Sequence, residues 1–196
     1  MASTASNVFA ARPRVTGALR AGPLSAPAPT DAKAEIDEAY DDLGYIGEDG
    51  FTETISREVE RKRAFGGALV KVLQTEFGNQ FQFVVMESMN AAVLKRVYGA
   101  DNVIVDGANI TVRKNAKPLD HEKWIIDTED GKNLLRTYVA DGQVSEIGDI
   151  VRVHTDTIAY ELTLDAFETA ELEGDTSRDY IYVGALDTEG GDTENP

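Results

Sequence analysis

The 196-residue chain carries 35 acidic and 19 basic residues, two histidines and no cysteine, for a formal net charge of -16. Without cysteine there are no disulfides, thiolate metal sites or cysteine nucleophiles, and the acidity opposes tight nucleic-acid binding, which rests on lysine and arginine displacing counterions from phosphate. No apolar run approaches the roughly 20 residues of a membrane-spanning helix, and the length suits one domain with loose ends.

The charge is unevenly spread. No acidic residue precedes Asp31, so Arg12, Arg14 and Arg20 make the first thirty residues +3 and leave -19 on the remainder. Residues 1–30 read as an extended basic N-terminal arm, because Pro13, Pro23, Pro27 and Pro29 block a regular helix. Residues 15–21 are a candidate strand within it. The same prolines argue against an amphipathic transit peptide, and no apolar core follows the start as a secretory signal requires.

Residues 31–42 are dominated by acids and read as a loop or a single helical turn. Residues 43–46 are a short strand, Glu48-Asp49-Gly50 has the composition of a tight turn, and Phe51 begins the return. In residues 52–63, Ile55 and Val59 continue a four-residue spacing from Phe51, as on a helix, while β-branched content favours a strand. Its alternating charges fit a solvated ribbon or a face that meets another subunit. Gly66-Gly67 ends it.

Residues 69–77 and 81–85 alternate as two strands, with Gly78-Asn79 expected to turn the chain between them into a central hairpin. Ser88 is the expected N-cap of a helix over about 88–98, Gly99 its stop, and Lys95 and Arg96 lie where the helix dipole favours positive charge. A hairpin follows about Asp106-Gly107. Asp130-Gly131, between residues 124–126 and 134–139, is a preferred pair for a type I′ turn, and Asp141-Gly142 repeats the signal.

Residues 147–153 continue extended, residues 158–164 alternate as a half-buried strand, residues 168–179 form an acidic loop and residues 180–183 a last strand. The expected fold is mainly β, a β-sandwich or small barrel of antiparallel strands over residues 31–184 with one flanking helix. Residues 185–196 then make an acidic flexible tail.

Chemistry is largely absent from the sequence. His121 and His154 sit in no metal-ligand spacing and read as solvated or structurally bonded. Asp127-Thr128-Glu129-Asp130-Gly131 has its glycine at the fifth position, not the sixth of a calcium loop, and no phosphate cradle or serine elbow occurs. Asn109-Ile110-Thr111 is a formal glycosylation sequon that reads as a strand segment. No enzymatic activity and no cofactor are expected. Phe77, Phe81, Phe83, Trp124, Tyr138 and Tyr160 would suit a sugar-binding platform, but each lies in a strand that needs apolar residues, so core is the better assignment.

An ordered series of short segments resembles the major tail protein, or tail-tube protein, of long non-contractile-tailed bacteriophages, the siphophages, particularly those of actinobacterial hosts. The series runs Pro13-Arg14-Val15-Thr16-Gly17-Ala18, Pro29-Thr30-Asp31-Ala32, Asp42-Leu43-Gly44-Tyr45-Ile46, Glu48-Asp49-Gly50 and Phe65-Gly66-Gly67. It continues with Glu87-Ser88-Met89-Asn90, Val97-Tyr98-Gly99, Asp141-Gly142-Gln143-Val144 and Glu146-Ile147-Gly148. The resemblance covers most of the chain; Phe65 stands where relatives often carry tryptophan.

The resemblance implies a structural protein of the virion tail, assembled in the host cytoplasm into hexameric rings that stack as a tube. Its implied partners are other copies of itself, a tape-measure protein and a tail terminator, with DNA passing through an acidic lumen without specific binding. Two interface candidates follow: Arg12, Arg14 and Arg20 of the arm, laid across an acidic neighbour, and the charged ribbon with Arg57, Arg61, Lys62 and Arg63. The reading from another class is a β-sandwich carbohydrate-binding or adhesin module with an exposed aromatic platform.

Overall fold

The computed structural model describes residues 8–184. These form β1 (Arg12–Pro13), β2 (Leu19–Pro23), β3 (Asp41–Asp42), β4 (Ile46–Arg63), β5 (Leu69–Val85), α1 (Ala91–Tyr98), β6 (Val103–Asp106), β7 (Asn109–Val112), β8 (His121–Asp130), β9 (Asn133–Ile147), β10 (Tyr160–Ala166) and β11 (Arg178–Tyr182). Nine strands make one antiparallel sheet in the order β3-β2-β8-β9-β10-β5-β4, with β1 beside β8 and β11 beside β9; β6 and β7 pair separately. The expected acidic tail lies outside the described residues.

The sheet is curled. Two strands separate β8 from β5, which would hold them about 14 Å apart in a flat sheet, yet the rings of Phe83 on β5 and Trp124 on β8 lie 5.9 Å apart. One continuous sheet rolled over its own core thus replaces the two stacked layers of a sandwich. Its concave face buries Leu19, Phe81, Val85, Trp124, Leu162 and Leu164, and α1 adds Val93, Leu94 and Val97. Phe81, Phe83, Trp124, Tyr138 and Tyr160 are all buried, as the core assignment required, whereas Phe77 is only half-buried, on the part of β5 that extends past β10.

Alternation sends Ile125, Tyr138 and Ala140 to the convex face, where Ala26 and Tyr40 of the 24–40 segment and Leu172 cover them. Polar staples hold this cover down. Lys123 Nζ, buried beneath it, donates to Ala26 O at 2.8 Å and to Glu171, and Arg136 reaches Asp31 O and Ala34 O at 3.0 and 2.8 Å. The strand anticipated within the arm forms at Leu19–Pro23, with Leu19 and Ala21 fully buried.

Several local expectations are corrected. Gly78-Asn79 does not turn the chain: β5 runs straight through it, and the hairpin turn lies at residues 64–68, where Gly66 and Gly67 take φ of 93° and 89°. Gly78 instead gives close approach, since a Cβ there would stand 2.8 Å from Ser56 Oγ. Asn79 is buried between strands, with Nδ2 donating to Ser177 Oγ at 2.9 Å. The expected turn at residues 48–50 is a wide bulge, four residues set against Val84 alone between the pairs Ile46–Val85 and Phe51–Phe83. Gly50 there does adopt positive φ, 68°.

Residues 43–45 join β3 to β4 without strand pairing, and residues 148–159 are a loop rather than extended sheet. Asp141-Gly142 lies inside β9, where a Cβ on Gly142 would meet Trp124 Cδ1 at 2.9 Å and Leu164 Cδ1 at 3.0 Å; packing, not turning, selects glycine there. The β8–β9 turn falls at residues 131–132 between paired Asp130 and Asn133. Positive φ at Gly131 alone, 61°, marks a type II′ rather than a type I′ turn. The helix is capped by Asn90, whose Oδ1 accepts from Ala92 N at 2.9 Å, two residues beyond the expected Ser88. Gly99 ends it with φ of 91°.

Candidate assembly surface

β10 ends at Ala166, opposite Asn79, so residues 69–78 of β5 have only β4 as a hydrogen-bonded neighbour. Residues 56–63 and 69–78 therefore leave the body as a two-stranded ribbon, about 30 Å long at about 3.3 Å per residue. A ribbon of this kind is marginal in water on its own. Here Val59, Leu69, Val70 and Val72 are exposed along it, and Phe65 at its tip is fully exposed.

Register sorts the ribbon's charges. Arg57, Val59, Arg61 and Arg63 project to one face, opposite Phe77, Gln74, Val72 and Leu69; Glu58, Glu60 and Lys62 project to the other, opposite Glu76, Leu73 and Lys71. Contacts agree with that assignment: the Arg57 guanidinium stacks 4.9 Å from the Phe77 ring and donates to Gln74 Oε1 at 3.2 Å, and Lys62 pairs with Glu60 on the opposite face. Arg63 donates to Gly67 O at 2.8 Å across the turn. The first face continues the concave side of the sheet and is cationic and apolar. Residues 57–71 hold five basic and two acidic side chains on a chain of -16.

Where the ribbon joins the body, the 47–50 bulge stands away from β1, β8 and β9 and leaves a groove of about 440 Å³. Pro13, Ile46, Phe51, Phe81, Ile126 and Leu135 give it apolar walls, and Glu48, Asp49 and Glu53 add carboxylates. Burial pushes the Glu53 carboxyl above its ordinary pKa, outweighing a hydrogen bond from Asn79.

The arm's arginines are placed differently from those of the ribbon. Arg14 Nη1 turns inward to Ala32 O at 3.2 Å and Asp127 Oδ2 at 3.4 Å, and Arg20 is held by Thr16 O, both within the same chain. Arg12 is exposed beside Glu129, its register partner. His121 Nδ1 lies 2.6 Å from Asp141 Oδ1, with its ring against Phe167, and His154 is exposed in the 148–159 loop.

Beyond the cover of the 24–40 segment and Leu172, the convex sheet face exposes Gln80, Gln82, Glu146 and Glu161, with Asp165 half-buried and Thr163 buried among them. Its outward positions Gln80, Gln82, Glu146, Glu161, Thr163 and Asp165 include three carboxylates and no basic side chain. The exposed apolar set of the ribbon was not anticipated, because a turn at Gly78-Asn79 would have folded residues 69–77 back onto the core. Reading Gly66-Gly67 as the hairpin turn would have exposed it.

Over residues 2–177 the chain matches the family described as Phage tail tube protein. No curated protein matches it. Among solved structures it is similar to the anti-feeding prophage cap, a tube-terminating cap, with a TM-score of 0.47 and 8% identity over 93% of this chain and 100% of that one. It is also similar to a chain of the extended sheath-tube complex of the extracellular contractile injection system PVC, with a TM-score of 0.46 and 9% identity over 93% of this chain and 100% of that one.

Proposed function

The chain belongs to the phage tail tube protein family, whose role is structural rather than enzymatic, and on that premise we propose that it assembles into hexameric rings that stack as a tube conducting DNA into the host. The observation that carries this reading is the ribbon of residues 56–78. Among the described residues nothing packs over this apolar and cationic two-stranded element, which leaves an acidic body, and in this reading another copy buries it.

The acidic convex face of β10 and β5 supplies the wall of the channel in this reading. Carboxylates without cations repel a polyanion, so DNA slides past without condensing onto the wall. Arg12 and the ribbon's Arg57, Arg61, Lys62 and Arg63 are the proposed contacts between copies. Tape-measure and terminator proteins are the proposed further partners, with assembly in the host cytoplasm and the finished protein in the virion tail.

Of the aromatic set considered for a sugar platform, Phe81, Phe83, Trp124, Tyr138 and Tyr160 are buried in the body and only Phe77 is partly exposed, which does not make a platform. Electron microscopy of the purified protein separates the two. Six-membered rings with an open centre, alone or stacked, support the tail-tube assembly; a persistent monomer that binds glycans overturns it.

A further inference from the structure

We propose that Phe65 at the ribbon tip of one copy seats in the apolar groove beneath the 47–50 bulge of the next copy. This rests on the tail-tube reading and specifies the contact through which copies join.

The tip presents a phenyl ring to water with Arg61, Lys62 and Arg63 two to four residues behind it. The groove offers the complement. Its walls of Ile46, Phe51, Phe81, Ile126 and Leu135 suit an aromatic ring, and its volume of about 440 Å³ lies within the roughly 300–1,000 Å³ of pockets that enclose a ligand. Glu48, Asp49 and Glu53 line it and, among the described residues, no basic side chain does, so a tip rich in cations meets a site rich in carboxylates.

A chain cannot satisfy this contact with itself. Groove and tip lie at opposite ends of the ribbon, twelve residues apart from Phe51 to Arg63, or about 40 Å at about 3.3 Å per residue. Tip into groove is therefore a heterologous, head-to-tail contact, which joins copies in series and either closes into a ring or continues from ring to ring along the tube, according to the rotation between copies. It also limits the spacing of successive copies to no more than about 40 Å along the ribbon, by the same rise.

The chain has no cysteine, which makes a cross-link unambiguous. The double variant Phe65→Cys, Leu135→Cys, assembled and then oxidised, should give a ladder of covalent oligomers on a non-reducing gel, while Phe65→Cys alone gives no more than dimers. Phe65→Ser should raise the protein concentration needed for assembly at least tenfold with an unchanged circular dichroism spectrum, and Phe65→Trp should keep assembly near wild type. If wild-type protein polymerises and Phe65→Ser polymerises equally well, or the double variant gives no ladder in assembled tubes, the knob-and-groove contact is overturned and the tail-tube reading stands. If wild-type protein never polymerises, both fall.

Discussion

Asp127 and Arg136 face each other as register partners across β8 and β9, joined by two parallel hydrogen bonds, Nε to Oδ1 at 2.7 Å and Nη2 to Oδ2 at 2.8 Å. Both side chains are almost wholly buried. The remaining guanidinium nitrogen, Nη1, is spent on two carbonyls of the 31–34 loop, so one ion pair fixes the sheet and the segment that covers it. Replacing Arg136 by Met leaves Asp127 with only the longer contact to Arg14, and breaking a buried pair in this way costs about 3–5 kcal/mol. Urea unfolding of the two proteins measures it.

The contact of Lys123 with Glu171 makes the same cover sensitive to acid. Burial alone would push the Glu171 carboxyl up, but hydrogen bonds from Lys123 and Tyr138 outweigh it and hold the pKa below the ordinary value of 4.5. A depressed carboxyl pKa contributes stability that is present above the unfolded value and lost as pH falls through the folded one. Glu171→Gln should therefore be less stable than wild type at neutral pH, with the difference closing below pH 4.5 as the wild-type carboxyl protonates. Thermal melts across that range read it out. Glu122 pulls the other way: burial, only partly offset by Arg96, raises its pKa, so its contribution favours the folded state at acid pH and fades as pH rises.

Gly142 is the place where a single methyl group should be felt. Its Cβ would meet Trp124 at 2.9 Å, Leu164 at 3.0 Å and Val139 at 3.2 Å, three core side chains on three strands. Gly142→Ala should destabilise by about 1–3 kcal/mol through overpacking, measured by denaturant titration. A turn glycine at this position would show no such packing penalty.

For the arm, removing residues 1–22 would not be a clean test, because Leu19 and Ala21 would leave the core with it. Arg12→Glu is the suitable change, since Arg12 is exposed. If the arm clamps acidic neighbours, the variant should keep the wild-type melting temperature while assembling less readily, with a smaller response to added salt than wild type. An exposed charge pair is screened at the ionic strengths where this would be read. Unchanged assembly and salt response would remove Arg12 from the interface.

Much of the body was legible in the sequence because its signals are local. The period-two alternation of Tyr160, Leu162 and Leu164, the Asp106-Gly107 turn and the Gly99 stop each depend on a few neighbouring residues. Two that misled, Gly78 and Gly142, share one cause: a glycine was read for its backbone freedom where the folded chain uses its small size. Gly78 and Gly142 lie within long strands because Ser56 and Trp124 press against them, and nothing within several residues of either reports that contact. The groove was illegible for a similar reason, since it is made by a bulge on β4 and by side chains of β1, β8 and β9 far away in sequence.

The ribbon was half legible. The charges of residues 52–63 read as a solvated ribbon or a face that meets another subunit, but the helical spacing of Phe51, Ile55 and Val59 competed with the strand pattern, and only the register with β5 sorts Arg57, Arg61 and Arg63 onto one face.

Sedimentation velocity of the full-length protein beside the Arg61→Glu, Lys62→Glu, Arg63→Glu variant tests the central claim, that this ribbon joins copies of the chain into a polymer. Wild type should sediment as large assemblies, and the variant as a folded monomer of about 21.3 kDa with an unchanged circular dichroism spectrum. Polymers of equal size from both proteins, or a wild-type monomer at every concentration, would contradict it.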